Sequence, residues 1–374
     1  MRVLCVTAVL AATLGAGPAP AAAGNRPAVS GRAAGPPGPW GVALVVNSSS
    51  TTTVQRQRGT WPSEYRVESS FGEPGEVLVR FPRIGLASGG VAHVTAVSNS
   101  PDWCQVRGWR QSGPDEIVAV RCHRHGAGQV LVPFYVVFGH SAQLVPAHQA
   151  AYAYVHWDGS AVAGRFNSSA ATAVNSVARS ATSPGVWQVV LPGLGTTGLA
   201  GNIQVTAVDA AVPARCKVGG WTPAAAEQKI VVRCFDAADV PLDTGWSLTY
   251  HRAQAVVATY PLLRSAYTFD NAPTTAGPYV PSPQAVNHNS TGGGLQLSRP
   301  QAGRKQVVLG EVGGYTDNVQ VTAAGPGPAF CNLTRAAEFP TPSPAHAYIR
   351  YVACYQGTIP VDQHSMITYF VPYN

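Results

Sequence analysis

One stretch occurs three times in this chain, and that repetition limits what the chain can fold into. Gly201–Cys234 reads GNIQVTAVDAAVPARCKVGGWTPAAAEQKIVVRC, and Val91–Cys122 and Asn318–Cys354 repeat its plan. Each copy holds a valine-threonine-alanine segment, a first cysteine, and a second cysteine closing a later apolar run. In Asn202–Val208 the residues Ile203, Val205 and Ala207 alternate with Gln204 and Thr206. That is the period of two expected of a strand with one buried face. Cys216–Trp221 and Lys229–Cys234 are the next two expected strands, and an antiparallel hairpin would set Cys216 beside Cys234.

The first cysteines fall at 104, 216 and 331, so the 374 residues divide into three units of a size that can bury its own core. Charged residues make up only 11 %, while glycine (39) and proline (31) are abundant, which fits short strands joined by tight turns. The opening strands GVALVVNS (41–48), AYAYVHWD (151–158) and AYTFDNAP (266–273) align. A Ser/Thr/Asn-rich stretch with one or two further strands follows each of them. Then comes a strand ended by a Pro/Gly turn, the cysteine core, and a closing strand: FYVVFG (134–139), WSLTYH (246–251) and MITYFV (366–371). About seven strands per unit without a helical period predict an all-β protein of three tandem antiparallel β-sandwich or small-barrel domains. The expected arrangement is three domains in a row, at 40–147, 148–257 and 258–374. A β-trefoil has much shorter repeats, and three blades are few for a propeller.

Ahead of the repeats, residues 1–23 read as a secretory signal peptide: Met1-Arg2, an apolar run to Ala16, then Ala21-Ala22-Ala23. Residues 24–39, rich in Pro, Gly and Ala, read as a disordered leader. No stretch is long and apolar enough for a transmembrane segment. With Cys5 inside the signal, six cysteines remain, two per unit, and an even count in an exported chain points to disulfides. The expected pairs are Cys104–Cys122, Cys216–Cys234 and Cys331–Cys354. No CxxC knuckle supports zinc or a redox pair.

Candidate chemistry is sparse. His123-Arg124-His125 could share a metal, but the aligned residues are Phe235-Asp236-Ala237 and Tyr355-Gln356-Gly357, and a surface turn is the simpler reading. Gly139–Gln143 lacks the second glycine of a nucleophile elbow. GLGTTGLAG (193–201) lacks the GK[ST] ending of a phosphate loop and reads as a turn. Asp243 and Asp362 occupy matched turns before the closing strand, where the first unit has Leu131, and read as turn formers. Trp109 and Trp221 align, with Ala336 in the third unit; these, with Trp40, Trp103, Trp187 and Trp246, read as core or disulfide-packing groups before sugar platforms. Asn47, Asn167, Asn289 and Asn332 head N-x-S/T sequences that read as polar turns before glycosylation sites. The net charge of +7 is spread out, with no basic stripe for nucleic acid.

The core GNIQVTAVDA…ARCKVGGW…IVVRCFDA…PLDTGWSLTY resembles an uncharacterised tandem β-domain repeat of secreted bacterial proteins. The resemblance covers most of units one and two and is weaker in unit three. It implies an extracellular, non-catalytic module, and it carries over no site residues, cofactor or metal. The expected function is therefore that of a secreted, non-enzymatic protein that binds an extracellular protein or a cell-envelope polymer, or acts as a spacer. The alternative is a secreted hydrolase with its active site in one diverged unit. The loops at His123–His125 and the Ser/Thr-rich segments are where a binding surface is expected.

Overall fold

The computed structural model describes residues 38–140, 150–169, 172–257, 263–338 and 345–372. The expected signal peptide, nearly all of the leader, and the boundaries near 147/148 and 257/258 lie outside or at the edge of these residues. The described part is all-β, with one short 3-10 turn at Gln284–Val286. Each repeat contains two antiparallel sheets of four or five strands facing one another across an apolar core.

In repeat 2 the first sheet runs Val162–Asn167, Ala151–Trp157, Gly245–Arg252, Asn202–Val208. Its second sheet runs Ser176–Arg179, Val186–Pro192, Glu227–Asp236, Ala214–Pro223. The same order recurs in repeat 1 (Thr52–Gly59, Trp40–Asn47, Phe134–Gly139, Val91–Ala96; Glu68–Phe71, Glu76–Phe81, Asp115–Arg124, Asp102–Ser112). It recurs again in repeat 3 (His288–Asn289, Leu263–Asp270, His364–Pro372, Asn318–Ala324; Leu295–Gln301, Arg304–Leu309, Ala347–Gln356, Phe330–Leu333). The inward residues of repeat 2, among them Trp187, Val189, Val205, Val232, Trp246 and Leu248, are almost wholly buried, as the period-two pattern requires. Trp187 and Trp246 meet edge-to-face at 6.1 Å and fill this core.

The opening strands do not all pair with the closing strands in the register their sequence alignment gives. Val45 faces Phe134, Trp157 faces Trp246 and Asp270 faces Ser365 in the ladders to the closing strands. Repeat 2 is thus displaced by two residues, and MITYFV by one. A two-residue slip keeps every side chain on its own face, so alternation alone does not fix it.

The three repeats do not lie in a row. Each first-cysteine strand forms a short parallel bridge to the next repeat: Val106 to Val208, Val218 to Ala324, and Leu333 back to Val97. A side-chain clasp sits beside each bridge. Nε2 of Gln105 donates to the carbonyls of Asp209 and Val212 at 2.8 and 2.9 Å. Lys217 Nζ donates to those of Gly327 and Ala329, both at 2.8 Å. Asn332 Nδ2 donates to those of Ser100 and Asp102 at 2.8 and 3.0 Å. These three residues each follow their repeat's first cysteine. The order 1 to 2 to 3 to 1 closes a ring with pseudo-threefold symmetry.

Closure explains the polar side of the central strands, which the sequence pattern leaves facing water. Asn202, Gln204, Asn318 and Gln320 are at most 1 % exposed, and His93, Thr95, Thr206 and Thr322 are also buried. Thr95 Oγ1 donates to Gln320 Oε1 at 2.9 Å, and Thr206 Oγ1 lies 3.1 Å from His93 Nδ1. Gln204 and Gln320 complete their valences on Asn202 and Asn318, two residues earlier on the same face. The apolar face of each central strand therefore fills its own sandwich, and the polar face meets the neighbouring repeats. Buried polar groups are tolerable there because they satisfy one another.

The third junction carries an additional bond. Asp317 stands where the other repeats place Gly90 and Gly201, both at positive φ. Its carboxylate accepts from Arg56 Nη1 at 2.5 Å and from the Tyr135 hydroxyl at 3.2 Å, both from repeat 1. Burial pushes its pKa up to about 7 against the pull of Arg56.

Candidate ligand groove between repeats 1 and 2

The predicted site residues fall mostly into structural roles. All three expected disulfides form within their repeats, with Cα atoms 4.0, 4.1 and 4.0 Å apart across directly paired strands. The His123 ring stacks on Trp103 at 5.5 Å and is buried, and burial, with Arg121, lowers its pKa to about 4. No group of three or more His, Cys, Asp or Glu able to hold a metal occurs among the described residues. Asp243 accepts from the Gly185 amide and pairs with Arg179; Asp362 accepts from the Gly303 amide at 2.9 Å and pairs with Arg299. Both therefore pin the neighbouring hairpin turn. Of the GHSAQ stretch, 141–143 lie outside the described residues. In 193–201, Leu194 and Thr196 accept from Gln228, as a turn packed on a strand would.

The N-x-S/T asparagines are clamps. Asn167 donates to the Pro192 carbonyl at 2.9 Å and accepts from both the amide and hydroxyl of Ser169. Asn289 does the same with Gly310 and Thr291. Asn332 is fully buried in its clasp, and Asn47 is held on the Val132 carbonyl at 3.0 Å. Each amide nitrogen is occupied, so the sequence signal reflects turn and strand-end bonding.

Sequence reading missed a groove of about 910 Å³ where repeats 1 and 2 meet. Repeat 1 contributes the 86–89 loop, Arg107–Gln111 and Glu116; repeat 2 contributes His156, Asp158 and the turns around Asp209 and Thr244. The bulge between Val106 and Gly108 turns Arg107 out of the ladder. Its Nη1 pairs with Glu73 at 2.7 Å and Glu76 at 2.6 Å, while Nε donates to the Ala210 carbonyl at 3.0 Å. The Trp109 ring lies 4.2 Å from the His156 ring, and its indole N–H donates to Gly89 O at 2.9 Å. Burial holds His156 down near 4, so it is a neutral imidazole at ordinary pH.

Glu116 is the unusual group. Oε2 accepts from the Leu86 amide at 2.9 Å, but the buried Oε1 meets no partner. Burial pushes its pKa up to about 7. In repeat 2 the equivalent residue is Gln228, and there the site is saturated. Gln228 Oε1 accepts from the Trp221 indole at 2.8 Å, and Nε2 donates to Leu194 O and Thr196 Oγ1. The DEIV/EQKI alignment held this signal: a carboxylate at an inward-facing position where its counterpart is an amide.

Most groove charges are internally engaged. Asp209 accepts from the Ala211 and Val212 amides and the Thr244 hydroxyl. Asp158 Oδ1 closes a turn on Ser160 and Ala161. What remains is an aromatic pair, one unsatisfied acceptor, peptide edges and the exposed Arg110. Comparison with protein-family models, curated proteins and solved structures finds no match to the chain.

Proposed function

We propose that this chain is a secreted, non-catalytic β-domain protein of the uncharacterised repeat type it resembles, and that the groove between repeats 1 and 2 binds a neutral, polyhydroxylated segment of a cell-envelope polymer. The observation that carries this reading is Glu116: a buried carboxyl with one unpaired oxygen beside Trp109 and His156. The Trp109 ring offers a sugar's apolar face a packing surface, and the Glu116 carboxyl lining the same groove offers an acceptor. Apart from Arg110, the groove charges are engaged within the protein, which favours an uncharged ligand over a polyanion. Three disulfides support export to an oxidising compartment. No helix of the described residues is long and apolar enough to cross a membrane.

The test is retention on insoluble cell-wall polysaccharides and on neutral soluble glycans. Trp109→Ala and Glu116→Gln should each weaken retention at least tenfold, while Trp221→Ala should leave it intact provided the variant folds. Equal retention of all variants would refute the assignment. A secreted hydrolase is the second reading, because a carboxyl poised near neutrality suits a general acid. It lacks a free partner, since Asp158, Asp209 and Asp243 are held by turn hydrogen bonds. Release of reducing ends from a bound glycan, abolished in Glu116→Gln, would establish it.

A further inference from the structure

The residues just before the first cysteines, Trp103, Arg215 and Phe330, come together where the three repeats meet. The Arg215 guanidinium lies 4.8 Å from the Trp103 ring and 4.9 Å from the Phe330 ring, so a cation takes the third place in an otherwise aromatic cluster. Two residues on, Lys217 is also buried. Both line a cavity of about 50 Å³, together with Thr95, Thr206 and Thr322 from the polar central strands.

The charges there are poorly matched. Nη2 of Arg215 pairs with Asp239, whereas the buried Nη1 meets no acceptor. Lys217 Nζ uses two donors on carbonyls and has a third. Lys217 also stands directly across the strand pair from Arg233, a like-charge placement that destabilises a sheet. No carboxylate lines the cavity. Burial, with Arg215 and Arg233 adding to it, lowers the pKa of Lys217 to about 7. Buried cations are costly unless countered, and the space exceeds the roughly 10–15 Å³ that one water needs.

We propose that this cavity is a site for a small inorganic anion of halide size, held between the Arg215 guanidinium and the Lys217 ammonium. A volume of about 50 Å³ suits a halide-sized ion better than a phosphate ester or a carboxylate-bearing metabolite. The Lys217 clasp, with Ala329, itself lines the cavity, so the anion would link ion binding to the junction between repeats 2 and 3.

Crystals grown in sodium bromide test this directly. An anomalous peak within contact distance of Arg215 and Lys217 is expected. In solution, replacing gluconate by chloride at constant ionic strength should raise Tm by about 2–4 °C once the site is filled tenfold above its dissociation constant. Lys217→Gln copies Gln105 of repeat 1, which makes the same two-carbonyl clasp, and should fold while losing both the peak and the shift. Arg215→Phe copies Phe330 of repeat 3 and should do the same. An ordered water only in the cavity of the wild-type protein, or a chloride shift that Lys217→Gln leaves unchanged, overturns the proposal.

Discussion

The Thr322 hydroxyl donates to Gln204 Oε1 at 2.9 Å and accepts from the Val205 amide at 3.0 Å, joining two repeats across more than a hundred residues. One small side chain thus satisfies two buried groups of its neighbour. Thr322→Val keeps the shape and removes both bonds. The expected loss is about 3 kcal/mol, since each orphaned buried group costs on the order of 1–3 kcal/mol. Urea titration measures it, and a loss within error of zero would show that the network adds nothing to stability.

The histidines give the fold an acid limit. Burial holds His93 and His251 down near 3, His251 with help from His93 and His288. In the unfolded chain an imidazole takes its proton near 6.5. Between about 6.5 and 3 the unfolded state binds more protons, so this stability is fully present above 6.5 and is lost as pH falls through that window. His93→Gln borrows the residue used at Gln204 and Gln320. Urea midpoints at pH 7, 5 and 4 should decline less steeply in the variant; parallel declines would remove His93 from the explanation.

Asn332 is the hand by which repeat 3 holds repeat 1. Asn332→Ala leaves the carbonyls of Ser100 and Asp102 without that donor and should cost about 2 kcal/mol. The loss should be local. Hydrogen exchange at the Ser98 amide, bonded to Leu333 O, should quicken more than at Asp209 or Gly325, its counterparts at the other two junctions. Uniform quickening would mean that the junctions open as one.

Removing Cys216–Cys234 by alanine at both positions should cost roughly 3 kcal/mol in the chain-entropy description of a loop this long. Non-reducing peptide mapping of the parent should return only the three within-repeat pairs. A pair between repeats would contradict the ladder registers.

The amino-acid pattern made the repeats, the pairs of cysteines and the strand Asn202–Val208 legible, because each is a local matter of alternation and spacing. It did not reveal where the polar half of that strand points. Gln204 and Thr206 look like a solvent face, and only another repeat a hundred residues away supplies Thr322 and His93 as partners. The same holds for Lys217, a charge that reads as surface and proves to be buried on two carbonyls. Glu116 was visible as a substitution of Gln228, but its unpaired oxygen follows from Trp109 donating to Gly89 O, where Trp221 donates to Gln228. The Asn167 and Asn289 motifs, read from the sequence as polar turns, do bond within turns, their amide nitrogens held on the Pro192 and Gly310 carbonyls.

The cyclic order of the clasps also sets copy number. In stacked repeats the end units keep an unused face, so a fourth unit can always be added and capping is needed. Here Gln105, Lys217 and Asn332 each reach the next loop, and the last reaches the first. Among the described residues, each first-cysteine strand already bridges to another repeat. Gene duplication of one repeat would have to break a bridge to be accommodated, and loss of one would leave one hand without a loop and one loop without a hand, so the count of three is a property of the geometry itself.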